Sequence, residues 1–171
     1  MKTLILYYSR TGNTGKVAQA LQQALGADLC QIDCPRYRPG GLRYLLAGYD
    51  SLRGRLPQID LPDVAIADFD LVLLGAPVWT SYPATPLRAL LATTPQFTGQ
   101  VGLFMTLGGH SEPQKAFDGV AEHLSMPLIA TLAVPQSAVE QDGFADQISA
   151  FTEKLTDRAG PDLPHTNAPA P

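Results

Sequence analysis

The sequence carries little charge and contains no long apolar run. Only 16% of its 171 residues are charged, and the formal net charge is −4. No basic stripe of the kind that follows a phosphodiester backbone is present, so we expect no nucleic-acid partner. No stretch approaches the roughly 20 apolar residues that cross a bilayer, and the first residues do not form a secretory signal. We therefore expect a soluble cytoplasmic protein without membrane insertion.

Cysteine is also scarce, which argues against a disulfide framework and against a metal site. The two cysteines are Cys30 and Cys34. In an extended segment their Cα atoms would lie about 13 Å apart, too far for a disulfide. No second Cys or His pair stands nearby, so we expect no bound metal. No Ser/His/Asp or Cys/His set suggests a nucleophile either, and we predict no catalytic residue.

Two familiar nucleotide-binding motifs are absent from the glycine-containing turn Ser9–Thr14. Gly12 and the following Gly15 are too closely spaced for the triphosphate loop, and Val17 stands where that loop needs Ser or Thr. The glycine spacing of the dinucleotide fingerprint is missing as well. The turn nevertheless follows an apolar run, Leu4–Tyr8, and precedes a helical pattern that begins at Val17. This order predicts a strand, a turn and then a helix.

The composition of this turn indicates a phosphate site. Backbone N–H groups at a helix start lack internal partners, and the helix dipole adds partial positive charge there. A glycine lets the chain wrap closely around an anion, and hydroxyl groups can donate hydrogen bonds to it. The predicted phosphate-binding residues are Ser9, Arg10, Thr11, Gly12, Asn13 and Thr14. The alternative is an ordinary strand–helix turn with Thr14 as the helix N-cap.

The residues of this turn, Tyr-Ser-Arg-Thr-Gly-Asn-Thr at 8–14, resemble the FMN phosphate loop of the flavodoxin family. A second stretch, Gly-Ala-Pro-Val-Trp at 75–79, is similar to the family loop in which an aromatic side chain stacks on the isoalloxazine ring. The resemblance extends over about residues 2–155. It implies FMN as the cofactor, bound through its terminal phosphate without a metal. It also implies a sheet of strand order 2-1-3-4-5, with the flavin at the carboxyl edge.

The overall pattern independently predicts an α/β fold. Five apolar runs, near residues 4–8, 28–33, 70–76, 101–107 and 128–134, alternate with five helical patterns, one of them over residues 36–56. Such alternation indicates a doubly wound, five-stranded parallel sheet with helices on both faces. We assign residues 1–157 to this domain and residues 158–171 to a mobile Pro-rich tail.

The stretch after the third strand holds the single tryptophan of the chain, Trp79, which we predict to lie in a loop. A large aromatic side chain outside regular structure either fills the core or presents a face to a flat ligand. The resemblance favours flavin contact and implies the ring-binding residues Pro77, Val78, Trp79 and Thr80. The role of the nearby Tyr82 stays open.

The stretch after the fourth strand is rich in glycine. Gly108 and Gly109 either form a simple turn or let the backbone approach a planar ring closely. The resemblance implies flavin contacts by Thr106, Leu107, Gly108, Gly109 and His110. Many flavodoxins carry a second stacking tyrosine here, and this sequence has none. His110 is either solvated or placed over the ring edge.

The resemblance leaves two redox functions open. The first is electron transfer between redox partner proteins through bound FMN. The second is an NAD(P)H-dependent FMN oxidoreductase that acts on quinones or similar small-molecule acceptors. The missing second stacking residue and a rim that is not acidic favour the enzyme, whereas the lack of a dinucleotide motif favours the carrier. A phospho-receiver domain needs clustered acids after strand one, and Leu4–Tyr8 contains none. The oligomeric state is not predicted.

Overall fold

The structure is a computed structural model that describes residues 1–38, 41–61, 63–109 and 112–159. His110, predicted above as a flavin contact, lies outside the described residues, as does the predicted tail beyond residue 159. The last helix continues to Ala159, two residues past the predicted end of the domain at residue 157.

The α/β sheet predicted from the sequence is confirmed. Five strands run parallel in the order β2-β1-β3-β5-β6, and a sixth, β4, pairs antiparallel with the end of β3. Without β4, this order is the predicted 2-1-3-4-5. The strands are β1 (Thr3–Tyr7), β2 (Asp28–Gln31), β3 (Leu71–Trp79), β4 (Tyr82–Pro83), β5 (Gln100–Leu107) and β6 (Leu128–Pro135).

The central strands are continuous apolar runs because the sheet is covered on both faces. Alternate side chains enter two separate cores. Leu6, Leu74 and Met105 belong to the core on one face. Ile5 and Phe104 belong to the core on the other face. Burial on both sides therefore explains why these strands show no alternation of polar and apolar residues.

Six α-helices accompany the strands in the described part of the chain. They are α1 (Asn13–Leu25), α2 (Gly41–Arg53), α3 (Thr85–Ala92), α4 (Gln114–Ala121), α5 (Gln136–Glu140) and α6 (Ala145–Ala159). The helix predicted over residues 36–56 is shorter than expected, and a 3₁₀ turn, Pro35–Tyr37, precedes it. Helix α5 was not predicted because five residues make little more than one turn and show no period. None of the helices described is both long and apolar enough to span a bilayer.

Trp79 lies in strand β3 and not in a loop as predicted. β3 continues to this residue and turns back at once, so that Val78 pairs with Pro83 and Trp79 with Tyr82. The two turn residues between them, Thr80 and Ser81, both have positive φ, 51° and 69°. Positive φ at both central positions is the geometry of a tight hairpin that matches strand twist, although it is costly for residues other than glycine.

The carboxyl ends of three strands meet at one edge of the sheet. Tyr7 is in register with Gly75, and Pro77 is in register with Thr106. The chain segments that follow β1, β3 and β5 therefore leave the sheet side by side. These are the three segments in which the sequence placed its binding residues.

Candidate functional site

Helix α1 begins directly at the predicted phosphate turn. Its N-cap is Gly12, with φ 98° and ψ −21°, and this residue has no side chain that could cap the helix. The alternative in which Thr14 is the N-cap is wrong, because Thr14 lies in the first helical turn and is buried. The backbone N–H of Gly15 donates to Ser9 Oγ at 3.1 Å. A helix start suits an anion, because its dipole and the first-turn N–H groups that have no partner in the protein can face a ligand.

A buried pair of hydroxyl groups joins this helix to strand β5. Thr14 Oγ1 and Thr106 Oγ1 lie 2.7 Å apart, and both side chains are less than 5% exposed. One hydroxyl donates to the other, so the pair as a whole keeps one O–H proton. The pair thus fixes α1 against β5 and still offers a donor.

A small cavity of about 140 Å³ lies between the three segments. All three contribute residues to its lining, together with the first residue of α5. The lining residues are Arg10, Thr11, Asn13, Thr14, Pro77, Val78, Trp79, Thr106, Leu107, Gly108 and Gln136. Folding therefore brings ten of the residues predicted from the sequence around one cavity.

Gln136 is a lining residue that the sequence analysis missed. It follows Pro135 at the end of β6, whose carboxyl end lies at the same edge of the sheet. Its Nε2 donates to Glu140 at 2.6 Å. Its position after the last strand is the signal that could have identified it, because ligands of open α/β sheets bind beyond the carboxyl ends of strands.

Trp79 combines the two roles considered for it. Its ring makes edge-on contacts with Tyr8 and Tyr37, at centroid distances of 5.7 and 5.4 Å. These contacts hold the indole against the core, because edge-to-face geometry is favoured for aromatic pairs. The side chain is nevertheless only half-buried, and it lines the small cavity. The indole of Trp79 is thus held by the two tyrosines and remains accessible from the small cavity.

A larger cavity of about 700 Å³ adjoins the small one, since both are lined by Arg10, Val78, Trp79 and Gly108. Two further predicted residues, Thr80 and Gly109, also line it. Its remaining lining comes from helix α2, which the sequence analysis did not connect with the site. These residues are Leu45, Ala47, Gly48, Tyr49 and Leu52. Their spacing predicted a helix but gave no sign that its apolar side borders a cavity.

Helix α2 is anchored next to the site by a buried carboxylate. Asp50 is fully buried and accepts hydrogen bonds from Arg36 Nε at 2.7 Å and from the Tyr37 hydroxyl at 2.9 Å. Burial raises the pKa of the Asp50 carboxyl, but these hydrogen bonds outweigh burial, so its pKa lies below the ordinary value.

A further cavity of about 620 Å³ lies beside Arg36 and Asp50, and none of the predicted site residues lines it.

Ser51, the next residue of α2, connects this helix to the β3–β4 hairpin. Its hydroxyl donates to the carbonyl of Trp79 at 3.0 Å and lies 2.9 Å from the hydroxyl of Thr80. Thr80 Oγ1 also donates to the Trp79 carbonyl, at 2.7 Å. These contacts stabilise the unusual turn geometry at Thr80 and fix α2 relative to Trp79.

Cations surround the apolar lining contributed by α2. The segment from residue 36 to residue 55 holds five arginines and one acidic residue, Asp50. The guanidinium carbons of Arg53 and Arg55 lie 5.6 and 5.5 Å from the ring centroid of Tyr49. Lys115 Nζ lies 4.3 Å from the ring centroid of Tyr82. Arg36 is paired with Asp50 and Arg38 with Asp33, so the excess of positive charge along and just after α2 comes from Arg43, Arg53 and Arg55.

Several solved structures resemble this one. A flavoprotein from Lactobacillus acidophilus NCFM, crystallised in complex with FMN, is 27% identical at a TM-score of 0.67, covering 82% of this chain and 97% of its own. Flavodoxin 1 from Bacillus cereus is 17% identical at a TM-score of 0.53, covering 91% and 97%. The chain has a flavodoxin-like fold. The NADH:FMN oxidoreductase EmoB shares it, at 17% identity and a TM-score of 0.56, covering 93% and 89%. No protein-family model and no curated protein sequence matches this chain.

Within this flavodoxin-like fold, most of the residues predicted from the sequence face the two adjoining cavities. Ten line the small cavity, and Thr80 and Gly109 line the larger one. Ser9 and Gly12 line neither, but they shape the turn through the Gly15 amide and the positive φ at the N-cap. The part that each residue plays toward a cofactor remains a prediction.

Proposed function

We propose that this chain is a redox protein that binds FMN at the carboxyl edge of its sheet. The observation that carries the proposal is the pair of adjoining cavities, one at the start of α1 and one beside Trp79. A phosphate and a planar ring joined by a short chain match this arrangement. The similarity to the Lactobacillus acidophilus flavoprotein, which was crystallised with FMN, supports the choice of cofactor.

The phosphate is assigned to the start of helix α1. Gly12 has left-handed geometry and leaves the space beside its Cα open, which permits close approach of an anion. The N–H groups of Asn13 and Thr14, the hydroxyl of Thr11 and the remaining proton of the Thr14–Thr106 pair supply the donors, whereas the N–H of Gly15 is held by Ser9. Arg10 adds positive charge at the junction of the two cavities. No metal is needed for this binding mode, since donors and charge come from the chain itself.

The isoalloxazine ring is assigned to the larger cavity. Trp79 offers an aromatic face there, and the backbone at Gly108 and Gly109 offers polar groups without side chains in the way. Bound FMN would supply the redox chemistry, because it accepts and donates electrons one or two at a time. The chain would orient the ring and set its electrostatic surroundings.

We further propose that electrons pass to and from partner proteins, and that these partners are acidic. The supporting observation is the exposed apolar surface of α2, with Leu45 and Leu52 about 70% exposed, among Arg43, Arg53 and Arg55. An apolar centre surrounded by charge is typical of transient complexes, in which charge guides the encounter. The alternative is an NAD(P)H-dependent FMN oxidoreductase acting on quinones or similar small acceptors, which the volume of the larger cavity, about 700 Å³, favours.

Two measurements on one preparation test these proposals. The purified protein should show a flavin absorbance spectrum, and the compound released by mild acid should be FMN and not riboflavin or FAD. A protein that neither carries nor takes up FMN would overturn the proposal. Anaerobic mixing with NADPH then separates the two functions. A carrier leaves the flavin absorbance unchanged within the mixing time, whereas an oxidoreductase bleaches it at catalytic rates.

A further inference from the structure

We propose that helix α2 forms the second wall of the flavin-ring pocket, with Gly48 at the point of closest approach and Tyr49 as the second aromatic side chain. The inference rests on the proposed function. The stretch after β5 has no second stacking tyrosine, and its described residues Gly108 and Gly109 carry no side chain that could cover the ring. Among the described residues that line the larger cavity, Trp79 and Tyr49 are the aromatic ones. The proposed second wall therefore comes from a helix that precedes β3.

The lining residues of α2 share one face of the helix. Leu45, Gly48, Tyr49 and Leu52 follow the spacing i, i+3, i+4 and i+7, which places them in one stripe. Such an apolar stripe normally packs against the rest of the protein. Here Leu45, Tyr49 and Leu52 are among the most exposed large apolar residues of the described chain. A planar apolar ligand in the cavity would cover part of this stripe.

Gly48 gives the strongest indication that this helix leaves room for a ligand in the larger cavity. It lies in the interior of a 13-residue helix, where glycine is less stable than alanine. A Cβ added to it would meet no atom within 4 Å, so packing inside the protein does not require a glycine. Since the stripe faces the cavity, a side chain at this position would extend into the cavity. Glycine here lowers the stability of the helix and keeps the cavity open.

Contacts at Tyr49 and a hydrogen bond to Trp79 help to position this wall before a ligand binds. Arg53 and Arg55 both lie over the Tyr49 ring, in the range of cation–π contacts. The Ser51 hydroxyl donates to the Trp79 carbonyl, so helix and tryptophan are held at a fixed separation. A preformed slot between two aromatic side chains lowers the entropic cost of binding a planar ring.

The test uses three glycine variants of the full chain. Gly48→Ala should raise the melting temperature of the apoprotein by about 1–4 °C, because alanine favours the helix. The same substitution should weaken FMN and riboflavin binding equally, since both ligands carry the ring. Gly48→Leu should weaken both by about 5- to 150-fold, the usual effect of overfilling a packed site. Gly41→Ala is the matched control: it lies in the same helix, has open space around its Cα and lines neither cavity. It should leave both affinities unchanged.

Tyr49 is tested by a conservative and a disruptive substitution. Tyr49→Phe should keep the affinity for riboflavin, whereas Tyr49→Ala should lower it by about 2- to 13-fold, the usual contribution of an aromatic pair. If the wild type binds FMN and all Gly48 and Tyr49 variants bind it with the same affinity, the second wall would be overturned, whereas the proposed function would stand. If the wild type bound neither FMN nor riboflavin, the proposed function would fail together with the wall. A Gly48→Leu variant that changes only self-association or binding to anionic vesicles would instead assign the stripe to a second copy or to a lipid surface, and the wall would be wrong.

Discussion

The paired hydroxyls of Thr14 and Thr106 offer a test in which stability and phosphate binding respond differently to the same substitutions. Their oxygens lie 2.7 Å apart in a buried position that borders the small cavity. One hydroxyl donates to the other, and the second proton remains available to a ligand. Valine has nearly the shape of threonine and removes the hydroxyl.

Each single variant leaves a buried hydroxyl without its protein partner. Thr14→Val or Thr106→Val should therefore lower the free energy of unfolding of the apoprotein by about 1–3 kcal/mol. The double variant leaves no unpaired hydroxyl, so its loss should be clearly smaller than the sum of the two single losses. Urea unfolding monitored by circular dichroism measures all four proteins.

FMN affinity should respond differently from stability: the single variants should change it little, and the double variant should lower it. Each single variant retains one hydroxyl proton toward the cavity, and its FMN affinity should stay close to that of the wild type. The double variant loses the donor to a charged phosphate, which costs about 1.5–3 kcal/mol or about 10- to 150-fold in affinity. Riboflavin lacks the phosphate, and its affinity is the control that should not change.

Two results would refute this reasoning. Strictly additive losses of stability would mean that the two hydroxyls do not act as a pair. A double variant that binds FMN as tightly as the wild type would mean that neither hydroxyl donates to the phosphate.

Three further predictions concern the surroundings of the ring. Fluorescence of Trp79, the single tryptophan, should be strongly quenched when FMN binds and recover in the apoprotein; an unchanged signal would place it away from the flavin. Because the pKa of Asp50 is depressed in the folded state, its contribution to stability is present above about pH 4 and is lost as the pH falls through the lowered pKa. Unfolding free energies between about pH 2 and pH 6 should therefore vary less in Asp50→Asn than in the wild type, and identical profiles would contradict the assignment. Arg55→Gln should lower the reduction potential of bound FMN in a low-salt anaerobic titration, because one positive charge is removed near the proposed ring site; a charge about 10 Å from a flavin would shift the potential by about 20–70 mV. A potential that does not move, or that rises, would show that this cation does not act on the flavin.

The sheet could be predicted because its signals are local. The run from Leu71 to Leu74 is apolar without alternation, and both faces of this strand are indeed buried. The turn at Gly12 could be placed for the same reason, since strand, glycine and helix follow one another within a few residues. Short-range patterns such as these report directly on the backbone.

The position of Trp79 depended on distant residues and was predicted wrongly. The strand continues through it because a hairpin with positive φ at Thr80 and Ser81 closes behind it. Neither residue favours that conformation by itself. The hydroxyl of Ser51, 28 residues before Trp79, donates to the Trp79 carbonyl and contacts the Thr80 hydroxyl, which helps to hold this hairpin. No local pattern contains that information.

The role of helix α2 was missed for a related reason. An apolar stripe predicts that a helix packs against its own protein, and the sequence gives no sign of a stripe left exposed. Leu45 and Leu52 remain exposed beside the larger cavity. This cavity forms between α2, Trp79 and the glycines after β5, and these segments are far apart in the sequence. The pairing of Thr14 with Thr106 likewise joins residues 92 positions apart.

Titration of the apoprotein with FMN and with riboflavin tests most directly whether the turn at Gly12 is a phosphate site for a flavin. Binding of each ligand is followed by quenching of flavin and Trp79 fluorescence. Two or more hydrogen bonds to the phosphate should make FMN bind at least about 100-fold more tightly than riboflavin, and the difference should shrink in Thr14→Val/Thr106→Val. Equal affinities for FMN and riboflavin, or no binding of either, would contradict the assignment.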